Sequence, residues 1–238
     1  MLADTPDTSA QSGNLSDNVQ RPATFRHELI HFIAAELPRW RDRPDRPRET
    51  AETMLTSQLA AHLTGVARHS PGWDNLQFQV EGADEVHKGR KIDLQPRPSG
   101  TVIWIEGRRH TEFDSLMPIE CKRLPTPKSS DRDEREYVIS SHSSTGGIQR
   151  FKDGSHGGAH TLGAMIGYVQ EETIAVWDLR VAGWIKFLAG VEPGWTTKDL
   201  LHPDSNDATL RLALFGSSHE RRQGLPDIEL RHLWLEMN

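Results

Sequence analysis

The stretch MPIECK at residues 117–122 has the apolar content of a buried strand, yet it carries an acid and a lysine two residues apart. Side chains two residues apart project from the same face of a strand, so Glu120 and Lys122 are predicted to lie side by side. The stretch KIDL at residues 91–94 places Asp93 between two apolar residues in the same way. We expect these two charged strands to be neighbours in one sheet, with their charged groups converging.

A lone acid beside an acid-x-lysine pair is a compact arrangement for holding a divalent cation next to a water molecule. Mg²⁺ or Mn²⁺ neutralises the charge that develops during phosphodiester hydrolysis and makes a bound water nucleophilic. Such hard cations bind oxygen ligands, which Asp93, Glu120 and the main-chain carbonyl of Cys121 are predicted to supply. Lys122 would lie beside that water, either as a base with a lowered pKa or as a charge that positions hydroxide.

Hydrophobic periodicity divides the rest of the chain into helices and strands. An amphipathic helix from Phe25 to Leu37 is expected to break at Pro38, and a second helix begins near Glu49. Strands are predicted at residues 76–80, 90–94, 101–105, 116–124, 161–170, 210–215 and 228–235, helical segments at 137–152 and 173–189, and a turn at 204–206. This order indicates an α/β (mixed α+β) fold with a central mixed sheet flanked by helices.

The 238 residues are enough for one large domain. Residues 1–22 are rich in small polar residues and poor in large apolar ones, so we predict a disordered tail there. Residues 23–238 are predicted to form a single domain, because no linker-like stretch or internal repeat divides them.

Composition limits the function classes further. The chain has no apolar run long enough to span a membrane and no secretory leader pattern, and its single cysteine excludes an internal disulfide framework, so the cytoplasm is expected. The net charge of −6 argues against a nonspecific nucleic-acid coat protein but not against a nuclease, whose positive charge can be local. The arginines of residues 39–48 form one local basic cluster, for which solvated surface is the simpler interpretation.

Asp93 followed by Glu120-Cys121-Lys122 among apolar neighbours resembles the PD-(D/E)xK nuclease superfamily, which has the restriction-endonuclease-like fold. The resemblance implies a core at about residues 49–170, made of a helix, antiparallel strands with the charged residues, another helix and a further strand. It adds Glu52, on the first core helix, to the site. From the helix after the charged strand it implies the phosphate-binding candidates Gln149, Arg150 and Lys152.

Two features depart from the superfamily pattern. Ile92 precedes Asp93 where many members have a proline. The separation of Asp93 from Glu120 is long and must hold an extra strand or hairpin, which the apolar residues 101–105 would supply. The resemblance covers about half of the chain.

The resemblance implies a Mg²⁺- or Mn²⁺-dependent endonuclease that hydrolyses DNA in preference to RNA, in a bacterial phage-defence or DNA-processing system. Because the chain has no GxxxxGK[ST] pattern, a protein partner would supply any ATPase or targeting function, and a homo-oligomer is also compatible. No membrane partner is expected.

Two other interpretations remain open at the level of sequence. The same fold could serve as a catalytically inactive scaffold or nucleic-acid-binding subunit. Alternatively, the charged strand residues do not form one site, and the chain is a different hydrolase or a small-molecule enzyme with a pocket elsewhere. His156 and His160 have a metal-like spacing, but the glycine pair between them argues against a helix and therefore against a zinc site.

Overall fold

The computed structural model describes residues 18–129, 132–141, 146–222 and 224–238. The helices are α1 (Phe25–Arg41), α2 (Glu52–Ala67), α3 (Gly147–Lys152) and α4 (Ile174–Val191), with a 3₁₀ turn at Thr197–Asp199. The strands are β1 (Asn18–Arg21), β2 (Leu76–Ala83), β3 (Lys91–Pro98), β4 (Val102–Ile105), β5 (Arg108–His110), β6 (Ile119–Leu124), β7 (Leu162–Val169), β8 (His202–Asp207), β9 (Leu212–His219) and β10 (Ile228–Glu236).

Seven of these strands form one mixed sheet in the order β2-β3-β6-β7-β10-β9-β8. β6, β7 and β10 run parallel to one another, whereas the remaining neighbours are antiparallel. Helices pack on both faces of the sheet, so the expected mixed α+β class with a large mixed sheet flanked by helices is confirmed. The C-terminal strands continue the same sheet, because β10 lies beside β7.

Strand alternation divides the core into two layers. Leu94, Ile119 and Cys121 face the layer that contains α1 and α2, whereas Leu124 faces the layer of α3 and α4. β7 is buried along its whole length because both layers cover it, which explains its continuous apolar sequence. The face of β6 opposite Cys121 is therefore available for Glu120 and Lys122.

A second, three-stranded sheet accounts for the long interval between β3 and β6. β4 and β5 form an antiparallel hairpin inserted at the position expected for it, and β1 pairs with β4 in parallel. The prediction of disorder for residues 1–22 is therefore wrong for Asn18–Arg21, while residues 1–17 lie outside the described residues. Pairing with the inserted hairpin gives this polar segment its structure.

Three local predictions also differ from the structure. α1 continues through Pro38 to Arg41, because one missing N–H did not end a helix whose buried face still packs on the core. The residues assigned to a turn at 204–206 lie in β8, an exposed edge strand without apolar alternation. Of residues 137–152, only Gly147–Lys152 is helical, and residues 142–145 lie outside the described residues.

No helix in the described part of the chain is long and apolar enough to cross a membrane.

Candidate active site

The register between β3 and β6 brings the predicted charged residues together. Leu94 lies opposite Ile119 in this antiparallel pair, so their neighbours Asp93 and Glu120 share the other face of the sheet. Lys122 projects from the same face, with its Nζ 3.0 Å from Glu120 Oε1 and 3.7 Å from Asp93 Oδ2. The predicted convergence of the three groups is therefore present in the structure.

The Lys122 ammonium lies at the centre of a cluster of oxygen atoms. In addition to the two carboxylates on the sheet, Nζ is 3.1 Å from the Cys121 carbonyl oxygen and 3.4 Å from Glu52 Oε1. Four protein oxygens from β3, β6 and α2 thus surround one positive charge. The ammonium marks a point in the fold where a cation is electrostatically favoured.

Glu52 reaches this cluster because it is the first residue of α2. Its Oε2 accepts a hydrogen bond from the Arg123 main-chain N–H at 3.0 Å, while Oε1 contacts Lys122. Asp93 is fixed in a similar way, since its Oδ2 accepts a hydrogen bond from the Cys121 N–H at 2.8 Å. Main-chain donors of β6 therefore orient both carboxylates.

Glu120 is fully buried and is contacted by three cationic or potentially cationic side chains. Arg150 Nη1 donates to Oε1 at 2.5 Å, Lys122 lies beside the same oxygen, and His156 Nδ1 is 2.8 Å from Oε2. Burial alone would raise the pKa of Glu120, but the charge of Lys122 and the hydrogen bond with His156 outweigh it and hold the pKa well below its usual range. Glu120 is therefore an ionised and tightly held carboxylate.

Two roles were expected for Lys122, a base with a lowered pKa and a positive charge that positions hydroxide, and the structure favours the second. Burial acts to lower its pKa, but the charges of Glu120, Asp93 and Glu52 together raise it above the usual range. The prediction of a lysine with a lowered pKa is therefore wrong for this arrangement. The side chain stays a cation, which leaves the role of a positioning or charge-stabilising group.

Asp93 is the carboxylate of the cluster whose negative charge is least compensated by its surroundings. Burial and the nearby charge of Glu120 raise its pKa to about 7, although Lys122 acts in the opposite direction. Its side chain is still 27% exposed, toward a pocket of about 220 Å³. The other lining residues of this pocket are Glu52, Thr53, Thr56, Ser57, Val80 and Glu81. An additional cation in the pocket would favour the ionised form of Asp93.

The donor chemistry fits a hard divalent cation. Mg²⁺ in proteins takes one or two carboxylates and fills its remaining positions with water, carbonyl or phosphate oxygens. Asp93 and Glu52 face the same pocket, and the Cys121 carbonyl oxygen lies beside them. Within the described ranges, no three His, Cys, Asp or Glu side chains are spaced to ligate one ion, so a metal at this pocket would take at most two side-chain carboxylates and complete its shell with carbonyl, water or phosphate oxygens.

The helix α3 contributes one of its three phosphate-binding candidates to the site. Arg150 contacts Glu120, as described above, whereas Lys152 Nζ donates to Asp199 Oδ1 at 2.5 Å. The side-chain oxygen of Gln149 accepts from the Ser140 N–H at 3.2 Å, so the structure does not bring this predicted catalytic residue to the cluster. Consecutive helical residues project about 100° apart, and α3 has only six residues. Gln149 therefore lies outside the cluster that the other predicted site residues form.

The thiol of Cys121 points away from the cluster, as the strand alternation predicts. It is fully buried in the core layer of α1 and α2, and burial raises the pKa of the thiol. Only its main-chain carbonyl belongs to the candidate site, which is the role that the sequence assigned to it.

No family model, curated protein or solved structure matches this chain. The geometry of the site must therefore support any functional inference by itself.

The sequence did not identify His156 as part of the site. It lies in the glycine-containing loop after α3, 36 residues from Glu120, where no periodicity relates it to β6. Its partner in the zinc-like spacing, His160, faces Glu85 instead, with Nε2 3.5 Å from Oε2. The two histidines therefore contact different acids, His156 with Glu120 and His160 with Glu85.

A second buried polar cluster has the connectivity of a serine-hydrolase triad. Asp199 Oδ1 is 2.6 Å from His219 Nδ1, and His219 Nε2 is 2.7 Å from Ser217 Oγ. However, Ser217 is only 4% exposed, and its hydroxyl is also 2.8 Å from His232 Nε2. A substrate carbonyl cannot reach such a hydroxyl, so we interpret the cluster as a structural network that anchors Lys152 and α3.

Proposed function

We propose that this protein is a Mg²⁺- or Mn²⁺-dependent nuclease that hydrolyses phosphodiester bonds in DNA. The observation that carries the proposal is the set of four protein oxygens around the Lys122 ammonium, beside a pocket that exposes Asp93 and Glu52. Acids arranged around a cation position next to a lysine are what metal-assisted phosphodiester hydrolysis requires.

The order of the elements around the site supports the same conclusion. α2, β2, β3, β6, α3 and β7 follow one another as a helix, three antiparallel strands, a helix and a strand parallel to the third. The restriction-endonuclease-like core has this order, with the hairpin of β4 and β5 as an insertion. We therefore assign the finer fold class as part of the proposal.

Each residue of the cluster has a distinct task in this proposal. Asp93 and Glu52 would hold the divalent cation with the Cys121 carbonyl, in place of the predicted ligand Glu120, whose oxygens are occupied by Lys122, Arg150 and His156. The cation would supply charge neutralisation and an activated water. Lys122 remains protonated and donates to a phosphate oxygen, on which negative charge develops during the reaction. Arg150 and His156 keep Glu120 ionised, which keeps the Lys122 side chain aligned with the pocket.

The broader biological setting is also a proposal and rests on the superfamily resemblance alone. It includes DNA rather than RNA as substrate, a bacterial phage-defence or DNA-processing system, a cytoplasmic location, and a partner that supplies ATPase or targeting functions. A homo-oligomer is compatible with the same setting.

A catalytically inactive scaffold is the second candidate, and one observation favours it. Glu120 is fully buried and its oxygens are already occupied by Lys122, Arg150 and His156. A carboxylate held in this way can serve as a structural anion without binding a metal. Calorimetry with Mn²⁺ on the folded protein separates the two candidates, because the scaffold would show no specific heat of binding.

The direct test is DNA cleavage by purified protein with Mg²⁺, Mn²⁺ or EDTA. We expect cleavage that depends on the cation, and a loss of at least about 100-fold in Asp93→Ala and Lys122→Ala, as when a charge-stabilising group is removed from an active site. Glu81→Gln is a matched control, because Glu81 lines the same pocket but pairs with exposed Lys91. Equal cleavage by the wild type and both site variants would eliminate the proposal.

A further inference from the structure

A large cleft lies at the carboxyl ends of the parallel strands. It has a volume of about 660 Å³ and is lined by segments that follow α1, β7, the β8–β9 turn and β10. Ligands of mixed sheets commonly bind outside the carboxyl ends of parallel strands, where the connecting loops leave a crevice. The arginines that line this cleft are Arg41, Arg43, Arg46, Arg48 and Arg211.

The cleft is locally positive although the chain as a whole has a net charge of −6. Five arginine side chains line it against the three carboxylate side chains of Asp42, Glu49 and Glu171. Burial lowers the pKa of Arg46, and the neighbouring charges of Arg48 and Arg41 lower it further. Guanidinium groups that repel one another in this way would be stabilised by a bound anion.

The arginines of the cleft differ in their contacts: some are held by hydrogen bonds or close ion pairs, and others, called uncommitted here, have no close partner. Arg41 is buried and donates to the carbonyl oxygens of Leu210 and Glu236, and Arg43 pairs with Asp45. Arg48, by contrast, is exposed and has no hydrogen bond or ion pair within the described residues. Arg211 is half-buried, and its nearest acid, Asp42, is 4.0 Å away. Arg48 and Arg211 are therefore the side chains that can contact a ligand.

The cleft borders the candidate active site at the start of α2, where Thr50 lines the cleft and Glu52 lines the pocket of the site. The Thr50 carbonyl oxygen accepts hydrogen bonds from Arg123 Nη1 at 3.0 Å and Gln170 Nε2 at 2.7 Å. The main-chain N–H of the same Arg123 binds Glu52, which contacts Lys122. A polyanion lying in the cleft therefore passes the end of α2 within one or two residues of the oxygen cluster.

We propose that this cleft binds the phosphodiester backbone of a nucleic-acid strand and guides it to the candidate active site. The inference rests on the proposed nuclease function and adds the surface that holds the substrate. A single phosphate would need one guanidinium, whereas uncommitted arginines on two different segments match successive phosphates of a polymer. Arg48 and Arg211 are positioning residues in this account.

The test measures binding in EDTA, so that it does not depend on cleavage. Fluorescence anisotropy with labelled single-stranded DNA and RNA of about 20 nucleotides compares the wild type with Arg48→Ala, Arg211→Ala and the double variant. Loss of one phosphate contact to these single strands should weaken binding about fivefold at 0.1 M salt and reduce the salt slope by about 0.7. Arg68→Ala is the control, because Arg68 is exposed at the opposite end of α2.

Three results would overturn the inference: equal affinity of the double variant and Arg68→Ala, no binding of either nucleic acid, or arginine-dependent binding only to inorganic phosphate or anionic phospholipid vesicles. Binding of DNA or of RNA through Arg48 and Arg211 supports it. The results also distinguish failure of the nuclease proposal from failure of the cleft proposal. A protein that binds through these arginines but never cuts with Mg²⁺ would refute only the enzyme, whereas cation-dependent cutting with unchanged affinity in the double variant would refute only the cleft.

Discussion

Asp93→Asn should make the protein more stable at alkaline pH while abolishing its response to Mg²⁺. The substitution keeps the shape of the side chain, and the amide oxygen can still accept the hydrogen bond that the Cys121 N–H donates at 2.8 Å. It removes only the negative charge. The experiment therefore isolates the electrostatic cost of placing a carboxylate in the cluster.

The magnitude follows from the pKa of Asp93, which is raised from its ordinary value of 3.8 to about 7. Between these two pH values the folded state holds a proton that the unfolded state has released, so stability falls as the pH rises. Above pH 7 the full difference applies, and at 1.36 kcal/mol per pKa unit it has an upper limit of about 4 kcal/mol. We expect the variant to be about 2 to 4 kcal/mol more stable than the wild type at pH 8.5 and nearly equal to it at pH 4.

The assay is urea unfolding in EDTA at pH 4, 5, 6, 7 and 8.5, followed by tryptophan fluorescence. A second series adds 10 mM Mg²⁺ at pH 8.5. If the wild type binds Mg²⁺ with a dissociation constant of about 1 mM, this concentration stabilises it by about 1.4 kcal/mol, whereas the variant should gain nothing. Glu81→Gln serves again as the control, because it removes a carboxylate that lines the same pocket.

One result would refute the reasoning. If Asp93→Asn is less stable than the wild type at pH 8.5 in EDTA, the Asp93 carboxylate is a net stabilising partner of Lys122, and the pocket has no need of a further cation. A Mg²⁺ response that persists in the variant would separately show that the ion binds elsewhere.

Three further predictions concern the groups around the site. Lys122→Ala should lower the free energy of unfolding by about 3 to 5 kcal/mol in EDTA at pH 8, because it leaves the buried carboxylates without their counterion; a loss under 1 kcal/mol in urea unfolding would contradict this. Asp199→Asn should destabilise the fold by about 3 kcal/mol in the same assay, because it removes the counterion of buried Lys152, while leaving Mn²⁺ affinity measured by calorimetry unchanged. Gly147→Ala should lower the melting temperature measured by circular dichroism, because a Cβ there would lie 2.7 Å from the Tyr137 carbonyl oxygen; an unchanged melting temperature would show that the start of α3 can shift freely.

The sequence was sufficient to predict which charged residues of the sheet converge. Strand alternation has a fixed period of two, so the apolar neighbours of Asp93 and Glu120 determine which face each acid occupies. The same rule placed Cys121 in the core and Lys122 beside Glu120. These assignments need only local pattern and one strand pairing, which is why they could be made without coordinates.

The remaining features of the site depend on contacts that no local pattern encodes. His156 reaches Glu120 through a loop whose path is set by glycines and by packing, and Gln149 accepts a hydrogen bond from the Ser140 N–H instead of reaching the cluster. The protonation of Lys122 was left open between two roles for a related reason. Its pKa depends on the sum of three carboxylates against burial, and a sequence gives neither the distances nor the burial.

The position of Lys122 also bears on how tightly a metal can bind. In the present arrangement the ammonium already compensates the carboxylates of Asp93, Glu52 and Glu120, so a divalent cation gains only the difference between its own attraction and that of the lysine. If the proposed cation binds, this competition predicts weak binding and easy exchange. The same competition lets the folded protein tolerate a cluster of buried acids before any metal arrives, because the counterion is part of the chain.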